Sequence, residues 1–167
     1  MGMNETARDG WRQTTAADLP AMQAISDAVH GAYTEPEGIF AERLALYPQG
    51  CQTLERGGMV VGYIITHPWH RDTPPKLGKP LGTIPEDADT YYLHDIALLP
   101  AGRGGGSGKA ATDFTVRQAL QSGFADITLI AVNGADAFWA SQGFAYVEGA
   151  EAVTYGEGTY LMRRGLR

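Results

Sequence analysis

Apolar side chains recur at helical spacing at Leu19, Met22, Ile25, Ala28 and Val29. This predicts a helix over about 16–30. Thr15 followed by Asp18 supplies an N-cap with an acidic residue three positions on, a variant of the capping box, and Gly31 ends the helix. Phe40, Leu44 and Tyr47 share one face of a second helix over about 37–47, stopped by Pro48. Elsewhere the rhythm is that of strands. Trp11–Thr14 reads as a short first strand. Cys51–Glu55 and Met59–Thr66 read as a hairpin around Arg56-Gly57-Gly58. Residues 67–90 carry Pro68, Pro74, Pro75, Pro80 and Pro85 and no period, which predicts a long loop, and such loops are usually functional or mobile.

Tyr91–Leu98 is a strand, closed by Pro100, and residues 102–108 form a glycine-dense turn. A helix over 109–122, a buried-type strand over 126–132, a short helix over 134–142 and strands over 144–148 and 159–162 complete the pattern. The order is β-α-α-β-β-β-α-β-α-β-β. The early hairpin implies antiparallel pairing, and the β-α-β unit over 91–132 implies a parallel pair. The expected architecture is a mixed α/β (α+β) sheet with helices on both faces. Residues 1–10 read as a disordered leader, and 11–167 as one domain without internal repeats.

Composition narrows the function classes. The chain has 167 residues, enough for a single core, and its 44% apolar and 19% charged content is ordinary. No apolar run approaches the ~20 residues that span a bilayer. Met1–Thr6 lacks the basic start and apolar stretch of a secretory signal, so a cytoplasmic location is expected, with no membrane partner. The net charge of −6 argues against a nucleic-acid partner, which needs a positive footprint, and suits a cationic substrate better. The single cysteine, Cys51, excludes an internal disulfide and cysteine-based zinc sites, and reads as a small buried hydrophobe. The histidines are His30, His67, His70 and His94. None forms an HExxH pair, and no metal is expected.

The turn Leu98-Leu99-Pro100-Ala101-Gly102-Arg103-Gly104-Gly105-Gly106-Ser107-Gly108-Lys109 carries the chemistry. A strand, a glycine turn and a helix N-terminus make an anion site of free N–H groups and a favourable dipole. The ligand should therefore carry phosphates. A Walker loop fits poorly, because Arg103 takes its first glycine position and Ala110 replaces the magnesium-binding hydroxyl. A dinucleotide fingerprint fits only from Gly106, inside the predicted helix start. The pattern [RQ]-x-x-G-x-[GA] is met by Arg103, Gly106 and Gly108.

That pattern resembles the acetyl-CoA pyrophosphate loop of the GNAT superfamily of N-acetyltransferases. The resemblance extends to Asn133 after the strand Ile127–Val132, to Ala137-Phe138-Trp139-Ala140-Ser141-Gln142-Gly143-Phe144, and to the helix pair and hairpin before the loop. It covers about 11–164 and implies the GNAT acyl-CoA N-acyltransferase fold, with the parallel strands 91–98 and 127–132 splayed around acetyl-CoA. It implies that backbone groups of Ile96, Ala97 and Leu98 pair with the pantetheine arm. The amides of Arg103, Gly104, Gly105, Gly106, Ser107, Gly108 and Lys109 would hold the pyrophosphate, and Asn133 and Phe138 would line the far side.

Acetyl transfer to an amine poses two proton problems, the ammonium and the departing thiolate. His94 is the best base candidate, because an imidazole works near neutrality with little tuning. Strand alternation puts Tyr92 and His94 on one face, with Leu93 and Asp95 on the other. Asp95 could bond the backbone or orient a neighbour. The stretch resembles the arylalkylamine branch of the family, which carries paired histidines where this chain has Tyr92 and His94. Many members place a tyrosine acid after the phenylalanine of the aromatic segment. This chain has Trp139 there, so Tyr146 is the substitute, or no acid exists. Tyr33, Phe40, Trp69 and His70 could wall the acceptor, Glu35 or Glu37 could hold an ammonium, and aromatic faces suit a cation. The resemblance thus implies acetylation of a small-molecule primary amine by a monomer or homodimer. A protein or peptide acceptor, or a silent acetyl-CoA sensor, is the alternative.

Overall fold

The computed structural model describes residues 9–166. Its elements follow the predicted order: β1 (Gly10–Gln13), α1 (Leu19–His30), α2 (Ile39–Leu46), β2 (Cys51–Arg56), β3 (Met59–Trp69), β4 (Thr90–Leu98), α3 (Ser107–Gln121), β5 (Asp126–Ala131), α4 (Asp136–Ser141), β6 (Ala145–Tyr146) and β7 (Tyr160–Gly165). The seven strands form one sheet in the order β1-β2-β3-β4-β5-β7-β6. This is the mixed sheet expected, with β4 and β5 as its parallel pair. The proposed leader lies mostly outside the described residues. At its end, Gly10 pairs with Glu55 and the Asp9 carboxylate accepts the Gly57 amide.

Local chemistry explains the boundaries. The capping box forms, with the Thr15 amide donating to Asp18 Oδ2 at 2.8 Å. Residues 16–18 make a tight turn before α1 begins. Gly57 and Gly58, with φ of +57° and +79°, give the two-residue hairpin turn its left-handed pair. β3 runs past Thr66, where a loop was expected, and pairs through Trp69. β2 ends opposite Ile65, so Pro68 sits where β3 has become an edge strand on that side, and proline is tolerated there.

Two cores flank the sheet. Met22, Ile25 and Phe40 pack with Cys51, Tyr63, Ile65 and Ala97 on the α1–α2 face. Ala111, Phe114 and Trp139 pack with Ile64, Tyr91, Leu93, Ile127 and Leu129 on the α3–α4 face.

Two irregularities shape the sheet centre. Ile65 pairs with Asp95 but Thr66 pairs with Leu93, so His94 is an extra residue bulged out of β4. The β4–β5 pairing is limited to Tyr91↔Ile127 and Tyr92↔Thr128. Beyond Tyr92 the strands part, and the edges of β4 and β5 that face each other go unpaired while β4 stays paired with β3 and β5 with β7.

Candidate functional site

A cavity of about 300 Å³ opens in that cleft. β4 contributes Leu93 to Ile96, and β5 with the segment after it contributes Leu129, Ile130, Val132 and Asn133. Val29, His30, Tyr33 and Glu35 come from the end of α1 and the loop after it. Leu77 and Tyr155 come from the two long loops.

The bulge changes which side chains meet. Alternation predicted Asp95 on the face opposite His94. With His94 as an added residue, Asp95 turns to the α1–α2 face, where His30 and Tyr63 reach it. Tyr92 and His94 do share a face, with ring centroids 6.0 Å apart. The result is two imidazole–carboxylate pairs beside one cavity. His94 Nε2 lies 2.6 Å from Glu35 Oε1, with side chains only 1% and 3% exposed. His30 Nε2 lies 2.6 Å from Asp95 Oδ1, at 12% and 9%.

Both carboxylates are further fixed. The Gly78 amide donates to Glu35 Oε2 at 2.8 Å, and the Tyr63 hydroxyl donates to Asp95 Oδ2 at 2.6 Å. Burial alone would raise the Glu35 and Asp95 pKa values. The facing imidazoles and these hydrogen bonds outweigh it, and both are held below the ordinary carboxylate range. Both oxygens therefore accept, and each imidazole Nε2 donates. Burial opposes charge on His30, but Asp95 and then Glu35 overcome it and raise its pKa.

Behind His94 lie buried polar atoms without a partner among the described residues: His94 Nδ1, Tyr92 Oη, His67 Nε2 and Arg43 Nε. His67 stays neutral, since burial, reinforced by His94, pushes its pKa down to about 3. Burial drives the Tyr92 phenol well above its ordinary value, so Tyr92 is a poor acid.

The glycine turn is built as an amide cradle. Gly104, Gly105 and Gly106 have φ of +80°, +63° and +78°, a run of left-handed residues that only glycine adopts without strain. The Arg103 amide is committed to Pro100 O and the Ser107 amide to Gly104 O, so these two do not face a ligand as expected. The amides of Gly104, Gly105, Gly106, Gly108 and Lys109 find no acceptor among the described residues. Arg56, which carried no signal in the sequence, holds the cradle from behind. It donates to the carbonyls of Ala101, Arg103 and Gly104 and to Ser107 Oγ. Free amides at a helix N-terminus beside a strand edge left unpaired on one side fit the pyrophosphate and pantetheine arm of a CoA thioester. Ile96 faces the cavity, Ala97 packs in the core behind it, and Leu98 O accepts Arg103 Nε at 3.1 Å. Asn133, the one non-glycine residue with positive φ among those described, donates from Nδ2 to His30 O at 3.4 Å. Phe138 lies against Gly108 at the start of α3.

Several candidates stand elsewhere. Tyr146 is 50% exposed on the edge strand β6 and donates to Asp136, away from the cavity. Phe40 is core, packed against Tyr63 with the two rings tilted by 57°. Trp69 donates to Thr73 O, and His70 pairs with Asp87 on the surface. The longer β3 carries Trp69 and His70 off the acceptor side. Tyr33 does line the cavity, joined by Tyr155, which sequence reasoning missed. Trp139 is buried in the core, with its ring edge-on to Phe138 and Phe144. Among the described residues no helix is long and apolar enough to cross a membrane, and no cluster of three metal-ligating side chains occurs.

The fold has known counterparts. The loading GNATL domain of CurA from Lyngbya majuscula is 14% identical, with a TM-score of 0.79 over 93% of this chain and 96% of that one. The GphF GNAT-like decarboxylase in complex with isobutyryl-CoA is 16% identical, with a TM-score of 0.77 over 94% and 99%. The ribosomal-protein-S18-alanine N-acetyltransferase from Escherichia coli is 19% identical, with a TM-score of 0.65 over 93% and 92%. At such identities the likeness is one of fold. No curated protein matches the chain in sequence. The model of the acetyltransferase (GNAT) family, however, matches residues 15–144, a span that holds the glycine cradle, the splayed strands and both imidazole–carboxylate pairs. The chain belongs to the GNAT acetyltransferase family.

Proposed function

We propose that the protein transfers the acetyl group of acetyl-CoA directly to a primary amine of a small molecule. The observation that carries this reading is the way the two long loops are tied down beside the cavity. Tyr155 donates to Pro75 O at 3.3 Å and lies 6.4 Å from Tyr33, centroid to centroid. Glu35 and Glu42 accept amides of Gly78, Leu81 and Gly82. The two long loops are thereby drawn over the site, leaving room for a compact acceptor between Tyr33, Leu77 and Tyr155.

Acetyl-CoA would lie on the cradle amides and along β4, and it supplies the activated thioester. The residues do the rest. Glu35 fixes the His94 tautomer with Nε2–H donating, which leaves a lone pair on the buried Nδ1 to take the ammonium proton through a bridging water rather than by direct contact. Aromatic walls at Tyr33 and Tyr155 suit a cationic acceptor. The arylalkylamine-like segment Tyr92-Leu93-His94-Asp95 supports a small aromatic amine or polyamine over a peptide.

A thiol-release assay with acetyl-CoA across arylalkylamines, polyamines and N-terminal peptides tests the reading. Turnover of a small amine, lowered about a hundredfold in His94→Ala, is the expected result. Turnover of peptides alone would transfer the reading to a protein acceptor. CoA binding without turnover of any acceptor would make the protein an acetyl-CoA sensor.

A further inference from the structure

We propose that His30, held by Asp95, carries the second proton of the reaction from the attacking nitrogen to the departing CoA sulfur. The inference rests on the amine-acetyltransferase reading above. An ammonium acceptor gives up two protons in becoming an amide. The first leaves before attack, is taken up by His94 and is released to solvent after turnover. The second leaves as the N–C bond forms and the C–S bond breaks. The C–S electron pair goes to sulfur, and that sulfur ends as a thiol. One proton to solvent and one to sulfur close the balance, and two imidazole–carboxylate pairs stand ready for them.

The usual donors are spent. Trp139 is buried, and its indole N–H is a poor acid. Tyr146 is off the cavity, and the Tyr155 hydroxyl is committed to Pro75 O. His30 is the last residue of α1 and lines the cavity beside Ile96 and Asn133. Its own carbonyl accepts Asn133 Nδ2, which ties the end of α1 to the segment just after β5, at the splayed end of the strands.

His30 is also the more open of the two imidazoles, at 12% against 1%. Its Nε2–H is taken by Asp95, and Asp95 is pinned in turn by Tyr63. A buried carboxylate held this way fixes the tautomer and stabilises the imidazolium once it forms. The charged groups around His30 are Asp95 on β4 and Glu35 on the following loop, and both favour the protonated ring against its burial. His94 faces Asp95 from the neighbouring position on β4.

Two measurements on His30→Asn and His30→Gln test the proposal, each variant checked for a wild-type melting transition. With the amine acceptor, kcat should fall about a hundredfold while KM for the amine and affinity for CoA stay within about threefold. Independently of any acceptor, the thiol of bound CoA is titrated by the ultraviolet absorbance of its thiolate. A His30 ring that shares its proton with the sulfur should hold that thiol about one pKa unit lower in the wild type than in the variants. Rates within about threefold of wild type, or identical thiol titrations in wild type and variants, would overturn the assignment. If no amine turns over, the acetyltransferase reading falls, and the thiol titration still decides His30.

Discussion

Arg56 donates to Ser107 Oγ at 2.6 Å, and the same guanidinium reaches the carbonyls of Ala101, Arg103 and Gly104. A turn with three consecutive left-handed glycines has little stiffness of its own, since each glycine loses much conformational freedom on ordering. The hairpin residue fixes the turn from behind, and its carbonyls point toward Arg56 while the free amides remain for a ligand.

Arg56→Ala should therefore loosen the cradle without touching the acceptor side. Charge-assisted hydrogen bonds at a partly exposed site are worth about 1.5–3 kcal/mol together, so CoA affinity should drop about tenfold or more. Calorimetric titration with CoA reads this directly. An unchanged affinity would show that the glycines hold their own shape.

Gly108 and Phe138 should be energetically coupled. A Cβ at position 108 would stand 3.0 Å from Phe138 Cζ, too close unless the ring moves. Gly108→Ala alone should weaken CoA binding by displacing the ring. Combined with Phe138→Ala, it should cost less than the sum of the singles. Additive losses would mean that the ring swings aside freely.

The His30–Asp95 pair should leave a signature in stability against pH. The His30 pKa is raised in the folded state, so its contribution is fully present below its ordinary 6.5 and is lost as pH rises through the raised value. The Asp95 pKa is depressed, so its contribution is present above its ordinary 3.8 and is lost as pH falls through the depressed value. Between those two ordinary values both terms act. Urea unfolding should show the largest gap between wild type and Asp95→Asn in that window, narrowing as His30 deprotonates. A gap independent of pH would show that the pair is only a neutral hydrogen bond.

Cys51 should be chemically silent in the folded protein. It is buried, and desolvation pushes its thiol up to about 12, so almost no thiolate exists near neutrality. An alkylating reagent should label it only at the rate of unfolding. Rapid labelling under native conditions would mean that the α2–β2 junction opens locally.

The glycine cradle was legible because its requirements are local. Left-handed backbone needs glycine, an anion needs free amides, and both are written into one run between a strand and a helix. Asn133 was singled out only by the resemblance to the family, and the structure adds that it takes a left-handed backbone, which asparagine tolerates. Arg56 was not, because a hairpin arginine looks the same whether it faces solvent or another turn. Phe40 and Trp69 failed as acceptor walls because aromatic residues serve cores and clefts equally. Only packing separated Phe40 against Tyr63 from Tyr155 over the cavity.

The sequence by itself determined the element order, the single buried cysteine and the glycine turn before α3. Each depends on residues adjacent in the chain or on a repeating period. It also determined that His94 lies on the strand that matters. What that histidine touches was decided by the tertiary structure. Glu35 is 59 residues away, and Asp95 meets His30 across 65. The bulge at His94 arises from how β4 registers against β3, which no alternation within β4 can announce. That one added residue turns Asp95 from the face where the period put it to the face where His30 and Tyr63 wait.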